Sequence, residues 1–479
     1  MTTTTTRNSV NALRSLGLAL TVASLAACSS DQLAITNPNT PSVASASADP
    51  QALQLQATGL LRQLRNGRGS YITSTGRFGR EMYIYTPQEG RNTSAYLQGI
   101  TGANKLDPAG FAVENWATQY GNLRDIFNFK NTVAASATLT AEQKSAATGF
   151  AKTLEGLELL YVISTRDTLG IVVQIKQDAS DLASFVSRDS AYKYILATLD
   201  EGNTALSAGG SAFPFTLHSG FTGFNTPATF KLFNRAIAGR AAAYYATSGG
   251  GSAAWTRSLA ALDASFLNKT AATRAELDAG PSHPYSGSTG DANNPFFSSS
   301  ADLYLHPSID ADAPLKADGT KDNRYLAKVK TKASRTPPSG VTGIASSVGF
   351  TGDASASASV SIIRNEELLL LRAEGLLATG DKAGALAIIN SIRVNSGGLA
   401  ASTLTSASAD ADLLTELLLQ KRYSTLLEGL RWVDMRRYNR LSQLPLDASN
   451  HFVAKVQPIP QSECLVRVGL TGGLAGPGC

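Results

Sequence analysis

The fold class predicted for this chain of 479 residues is mainly α: tetratricopeptide-like helix pairs, few short strands and one long loop-rich insertion. Apolar residues recur at helical spacing in a series of stretches on both sides of the insertion. In 364–393 two such stretches are separated only by Gly380-Asp381, a turn so short that the helices must lie antiparallel. Between 267 and 360 the periodicity lapses into Gly, Ser, Pro, Asn and Asp punctuation with isolated aromatics.

The N-terminus comes first in order. Arg7 and Arg14 precede the apolar run Leu16 to Leu25, and Leu25-Ala26-Ala27-Cys28 closes it with small residues and a thiol. This is the layout of a lipoprotein signal, in which the sulfur is alkylated by diacylglycerol, the chain is cut before the cysteine and the new amine is acylated. Residues 1–27 are the expected signal peptide, Cys28 the lipidation site, and 28–48 a Ser/Thr/Ala/Pro-rich tether. The remaining 49–479 form the body.

Within the body, Asp49-Pro50 supplies a cap and a first-turn proline, and Leu53, Ala57, Leu60, Leu61 and Leu64 share a face up to Asn66-Gly67. Residues 68–109 read as irregular loops with exposed aromatics, among them Tyr71, Phe78, Tyr83, Tyr85 and Tyr96. Further helices are predicted at about 110–132, 141–165, 189–206, 227–247 and 253–266. Phe213, Phe215, Phe221 and Phe224 carry no polar group and are expected in the core. After the 267–360 insertion, Leu368, Leu369, Leu371, Leu376 and Leu377 pattern one helix. Gly380 suits the left-handed position that ends it, and Asp381 caps the next, which carries Ala385, Leu386, Ile389 and Ile392. Arg240-Ala241 to Thr247 repeats this layout, at a distance too great for a continuous 34-residue array.

Charge narrows the function. Two of the 42 basic residues and none of the 37 acidic ones lie in 1–27, so 40 basic residues face 37 acidic ones in the mature chain. An excess of that size, spread along the sequence, is no nucleic-acid footprint. No later segment reaches eighteen consecutive apolar residues, which leaves lipid as the expected membrane attachment. Cys464 and Cys479 lie in a Gly-rich tail and are expected to form a disulfide in an oxidising envelope, worth on the order of 3 kcal/mol.

Enzyme signatures are sparse. His218, His283, His306 and His451 are widely separated, and HExxH, GxSxG and GxxxxGK[ST] are absent. No cofactor is implied. Asp310, Asp312 and Asp318 are oxygen donors whose spacing departs from an EF-hand; solvated loop acids are the expected reading, no metal ligand is assigned, and calcium stays open. Paired carboxylates for glycoside hydrolysis can converge from any distance, so a glycosidase stays open at this stage, as does a helical-repeat scaffold of the envelope.

Arg364-Asn365-Glu366-Glu367-Leu368, Arg372-Ala373-Glu374, Gly380-Asp381, Ile389-Asn390 and Ile392-Arg393 resemble the C-terminal helical signature of the SusD/RagB family of outer-membrane lipoproteins. Glu428 to Arg437 and Pro458 to Glu463 continue the likeness in the family's order, making 361–463 the C-terminal helical region. Gly79-Arg80-Glu81, Arg91-Asn92-Thr93 and Thr168-Leu169-Gly170 extend it more loosely to the N-terminal half. The resemblance implies a non-catalytic nutrient-capture protein on the outer face of an outer membrane. It would bind oligosaccharides or peptides and deliver them to a SusC-like TonB-dependent transporter.

The resemblance also places ligand contacts in the two loop regions, 68–109 and 267–360. Tyr83, Tyr85, Arg91, Asn92, Tyr96, Tyr285 and Tyr304 are the candidates there, because aromatic faces, amides and guanidinium groups suit sugar rings. For the crowded charges of Glu428 to Arg437 the helical spacing predicts ordinary structural pairs, Glu428 with Arg431 or Trp432 and Asp434 with Arg437.

Overall fold

The computed structural model describes residues 50–99, 106–178 and 180–477. The expected signal, Cys28 and the tether lie outside the described residues, as does Cys479. Cys464 is disulfide-bonded.

A long helix, α1 (Pro50–Phe78), opens the body, followed by strand β1 (Met82–Ile84) and helix α2 (Arg91–Leu97). Helices α3 (Ala117–Ala135), α4 (Ala141–Arg166), α5 (Arg188–Ser207), α6 (Pro227–Tyr245) and α7 (Gly251–Asp263) then pack each against the next. Strands β2 (Ile171–Val172) and β3 (Phe185–Val186) form a small hairpin between α4 and α5. Thr140 caps α4 with a reciprocal bond to Gln143, and Thr226 with Pro227 opens α6. These helices meet the expected ranges to within a few residues except at α3, whose first predicted turn is a separate 3-10 turn at Phe111–Val113.

The insertion is not featureless. It holds α8 (Arg274–Asp278), β4 (Ser282–His283), β5 (Leu303–Leu305), α9 (Ser308–Ala311), α10 (Asn323–Lys328), β6 (Val329–Arg335) and β7 (Ser346–Phe350). Strand β8 (Val360–Ser361) ends it. β6 and β7 pair with each other, β4 pairs with β8, and β5 pairs antiparallel with β1, Tyr83 opposite Tyr304. The last pairing sews the insertion to the residues that follow α1.

The C-terminal block contains α11 (Asn365–Ala378), α12 (Lys382–Ser391), α13 (Asp410–Ser424), α14 (Arg431–Arg437) and α15 (Gln461–Leu465). Gly380 has φ +93° and Asp381 accepts a hydrogen bond from the Gly384 N–H at 2.8 Å, as the turn chemistry predicts. The hairpin α11/α12 packs on α7 and α13.

Two expectations are corrected. Helix α1 runs a further eleven residues past Gly67, because Tyr71, Ile72, Thr75 and Phe78 continue its buried face. Gly76 permits this, since a Cβ there would come within about 3.1 Å of the Leu427 and Met82 side chains. The helix ends where Arg80 takes φ +55° and sends its guanidinium to the Phe452 and Pro445 carbonyls. The aromatics of 68–109 are not exposed: Tyr71, Phe78, Tyr83, Tyr85 and Tyr96 are all at most 2% accessible. Phe213, Phe215 and Phe221 are in the core, and Phe224 packs at its edge against Phe266.

Buried ion pairs tie the C-terminal block to the rest. Arg240 of α6 makes a two-pronged bond with Glu367 of α11, 2.7 Å on each side, with both side chains almost fully buried. Glu374 accepts from Lys421 at 2.7 Å, from Tyr438 at 2.9 Å and from Arg437. Burial opposes its charge, but Arg437 and Lys421 outweigh that and hold its carboxyl down to about 2. Asp434 pairs with Arg437 as expected, at 2.8 Å. Glu428 reaches Arg364 rather than Arg431, since the loop before α14 turns it toward the start of α11. Trp432 stacks on Phe78 and donates to the Ala454 carbonyl, which makes the whole motif structural.

Candidate functional site

A groove of about 340 Å³ opens between the second half of α1 and the 284–299 segment of the insertion. Because α1 continues past Gly67, Arg65, Asn66, Ser70, Thr73 and Arg77 fall on its open face and form the floor. Tyr285, Asn293, Pro295, Ser298 and Ser299 form the facing rim, and Ile84 of β1 closes one end. The lining is therefore mostly hydroxyl, amide and guanidinium, with a few apolar surfaces.

Each polar group is held by a neighbour. Arg65 donates to the Pro284 carbonyl at 3.0 Å and to Asp291 at 2.5 Å, and its guanidinium carbon lies 5.4 Å from the centre of the Tyr285 ring. Tyr285 returns a hydrogen bond from its hydroxyl to the Arg65 carbonyl at 3.3 Å. Arg77 donates to Thr73 and Asn92 carbonyls, stacks 4.0 Å over Tyr96 and faces Glu114 at 3.8 Å. Burial raises the Glu114 carboxyl despite Arg77. Asn294 fixes the rim by donating to the Ala358 carbonyl and accepting from the Phe296 N–H.

Of the seven residues proposed from the sequence, only Tyr285 lines this groove. Asn92 and Tyr96 stand behind it, touching Arg77. Tyr83, Tyr85 and Tyr304 are brought together, but as a buried stack with ring centres 5.6 and 5.8 Å apart. Their hydroxyls donate to Asp447, the Ile344 carbonyl and the Ala333 carbonyl, and Lys332 covers Tyr304. Rings with no open face cannot act as platforms, which corrects the exposure expected of them. Arg91 is exposed, paired with Glu89 and lying 4.6 Å over Phe111, outside the groove lining.

The residues that sequence reasoning missed are those of the α1 floor. Their signal was present in the spacing of Tyr71, Ile72 and Phe78, and Gly67, Gly69 and Gly76 obscured it.

One cluster has the connectivity of a hydrolase triad. His306 meets Ser308 Oγ at 2.7 Å and Asp447 at 2.9 Å. Its serine also accepts from Arg422 at 2.7 Å, and Asp447 from Tyr83 at 2.7 Å, with the His306 and Asp447 side chains only 4% exposed. That arrangement fastens β1, α9 and the C-terminal segment together. The acids considered for calcium are engaged separately: Asp310 with Lys321 and Tyr325, Asp312 with Arg422, Asp318 with Thr320. Among the described residues no group of three or more His, Cys, Asp or Glu converges, and no helix is long and apolar enough to cross a membrane.

Residues 341–463 match the model of the SusD family. A comparison with curated proteins finds no match. Among solved structures, a SusD superfamily protein from Bacteroides vulgatus superposes with TM-score 0.64 at 13% identity, covering 88% of this chain and 97% of that one. A SusD-like carbohydrate-binding protein from Bacteroides fragilis gives 0.62 at 14%, covering 88% and 99%. Surface glycan-binding protein A from Bacteroides thetaiotaomicron gives 0.64 at 10%, covering 89% and 99%. At such identities the superpositions speak for the fold, and the family model for the C-terminal helices. Residues 341–463 thus carry the likeness to the SusD family, and the chain shares the fold of the SusD-type structures along most of its length.

Proposed function

We propose that this protein captures oligosaccharides at the cell surface, holding them in the groove between α1 and the 284–299 segment, and delivers them unchanged to a SusC-like TonB-dependent transporter. The observation that carries this reading is the groove's lining on a SusD-type scaffold: Tyr285 with Asn66, Asn293, Ser70, Thr73 and Ser298 around an open cleft. Pyranose rings present many hydroxyls around small apolar C–H faces, and such a mixed, wet surface binds them through hydrogen bonds and shared waters. The fold's relatives include proteins described as carbohydrate-binding and glycan-binding, which supports the same class of ligand.

In this reading Cys28 carries the lipid, residues 28–48 act as the tether, and the Cys464–Cys479 disulfide closes the tail. Transport energy comes from the partner. Calorimetry against panels of neutral and charged glycans, with reducing-end assays on the same ligands and copurification from membranes, tests the proposal. Binding without turnover, in a transporter-containing complex, is expected. Turnover of a bound glycan would refute the non-catalytic role, and a complex with no glycan affinity would refute capture.

A further inference from the structure

The charges around the groove are unequal. Arg65 and Arg77 both line it, and no Asp or Glu does. Each arginine has one carboxylate partner set outside the lining, and both partners are partly open to solvent: Asp291 is 39% and Glu114 33% exposed. The Arg77 to Glu114 contact is loose at 3.8 Å. Arg65 keeps its Nε buried and without a hydrogen-bond partner, so its donors are not all used. Behind it lies Arg68, whose Nη1 is likewise buried and unpartnered, next to His283 with both ring nitrogens unpartnered. Arg68 in turn offsets the buried Glu428, whereas His283 is held neutral by burial, so neither group behind Arg65 supplies it with an anion.

Resting on the capture reading, we infer that the groove selects glycans bearing carboxylates, oligosaccharides of uronic acids, with Arg65 and Arg77 receiving the ligand's carboxylate. A guanidinium binds a carboxylate through charge-assisted hydrogen bonds about twice as strong as neutral ones. The neighbouring hydroxyl and amide groups then read the sugar hydroxyls. Asp291 acts as a placeholder: it occupies one edge of Arg65 from an exposed loop and competes with the incoming carboxylate.

The test is calorimetry on the full chain with trimers of galacturonate and mannuronate, their methyl esters, and neutral maltotriose and xylotriose. Binding of an acid trimer about tenfold or more tighter than its ester at low ionic strength is expected, with the gap shrinking in salt. Arg65→Gln and Arg77→Gln should remove the preference for acid over ester. Asp291→Asn, a change on an exposed loop, should tighten acid binding several-fold and by more than it changes ester binding, and it reports even where an arginine variant folds poorly. Equal affinity for acid and ester, or an Asp291→Asn variant with unaltered acid affinity, overturns the inference and leaves glycan capture standing. Absence of binding to every glycan, acidic or neutral, overturns the capture reading itself.

Discussion

Glu158 carries a carboxyl into the centre of α4, fully buried, with Asn122 donating to one oxygen at 2.7 Å and nothing bonded to the other. Burial pushes it up from 4.5 to about 8, and the same cause lifts Glu81 to about 7. Folding is therefore opposed as pH rises from the unfolded value through the folded one, because the native state holds the proton more tightly. Glu158→Gln should raise stability at about pH 9, on the order of a few kcal/mol, and change little near pH 4. Urea unfolding across that range measures it. At Tyr304 the outcome is structural: Tyr304→Ala removes a buried ring from the stack with Tyr85 and should cost about 3–5 kcal/mol in the same assay. These tyrosines show where residue-level reading stopped. Their neighbours Gly, Pro and Asn look like loop, and the partner strand that buries them, Leu303–Leu305, is far away in sequence with no local pattern announcing the pairing.

Among elements, the bond from α6 to α11 through Arg240 and Glu367 spans two helices that never touch in sequence. Arg240→Met alone leaves a buried carboxylate uncompensated and should cost about 3–5 kcal/mol, whereas Arg240→Met with Glu367→Leu should recover most of that. A double-mutant cycle by denaturant unfolding reads the difference. Helices were the most legible part of the chain, since 3.6-residue spacing survives without context: α4, α5 and α6 begin and end within a few residues of expectation. The end of α1 was less legible, because its glycines answer to close neighbours such as Met82 and Leu427 rather than to a local turn. That single misplaced boundary hid Arg65, Ser70, Thr73 and Arg77 as a shared face.

For the whole molecule, the proposed attachment and the proposed capture are separable by experiment. Cys28→Ser should move the protein from the membrane fraction to the soluble one without changing its glycan affinity, since the cysteine belongs to the proposed anchor and not to the groove. Fractionation with parallel calorimetry checks both halves of that statement. The helix-pair architecture was readable from the Gly380-Asp381 hairpin and the ordered C-terminal motifs. The groove was not, because it exists only where a helix meets a segment more than two hundred residues later. That meeting of a helical floor with a loop rim has an evolutionary consequence. The floor is tied into the core through Tyr71, Ile72 and Phe78, and its drift is restrained by folding. The exposed rim residues Asn293 and Ser298 carry little of that burden, so descendants of this chain can alter the groove's lining by rewriting a handful of rim codons while inheriting the floor intact.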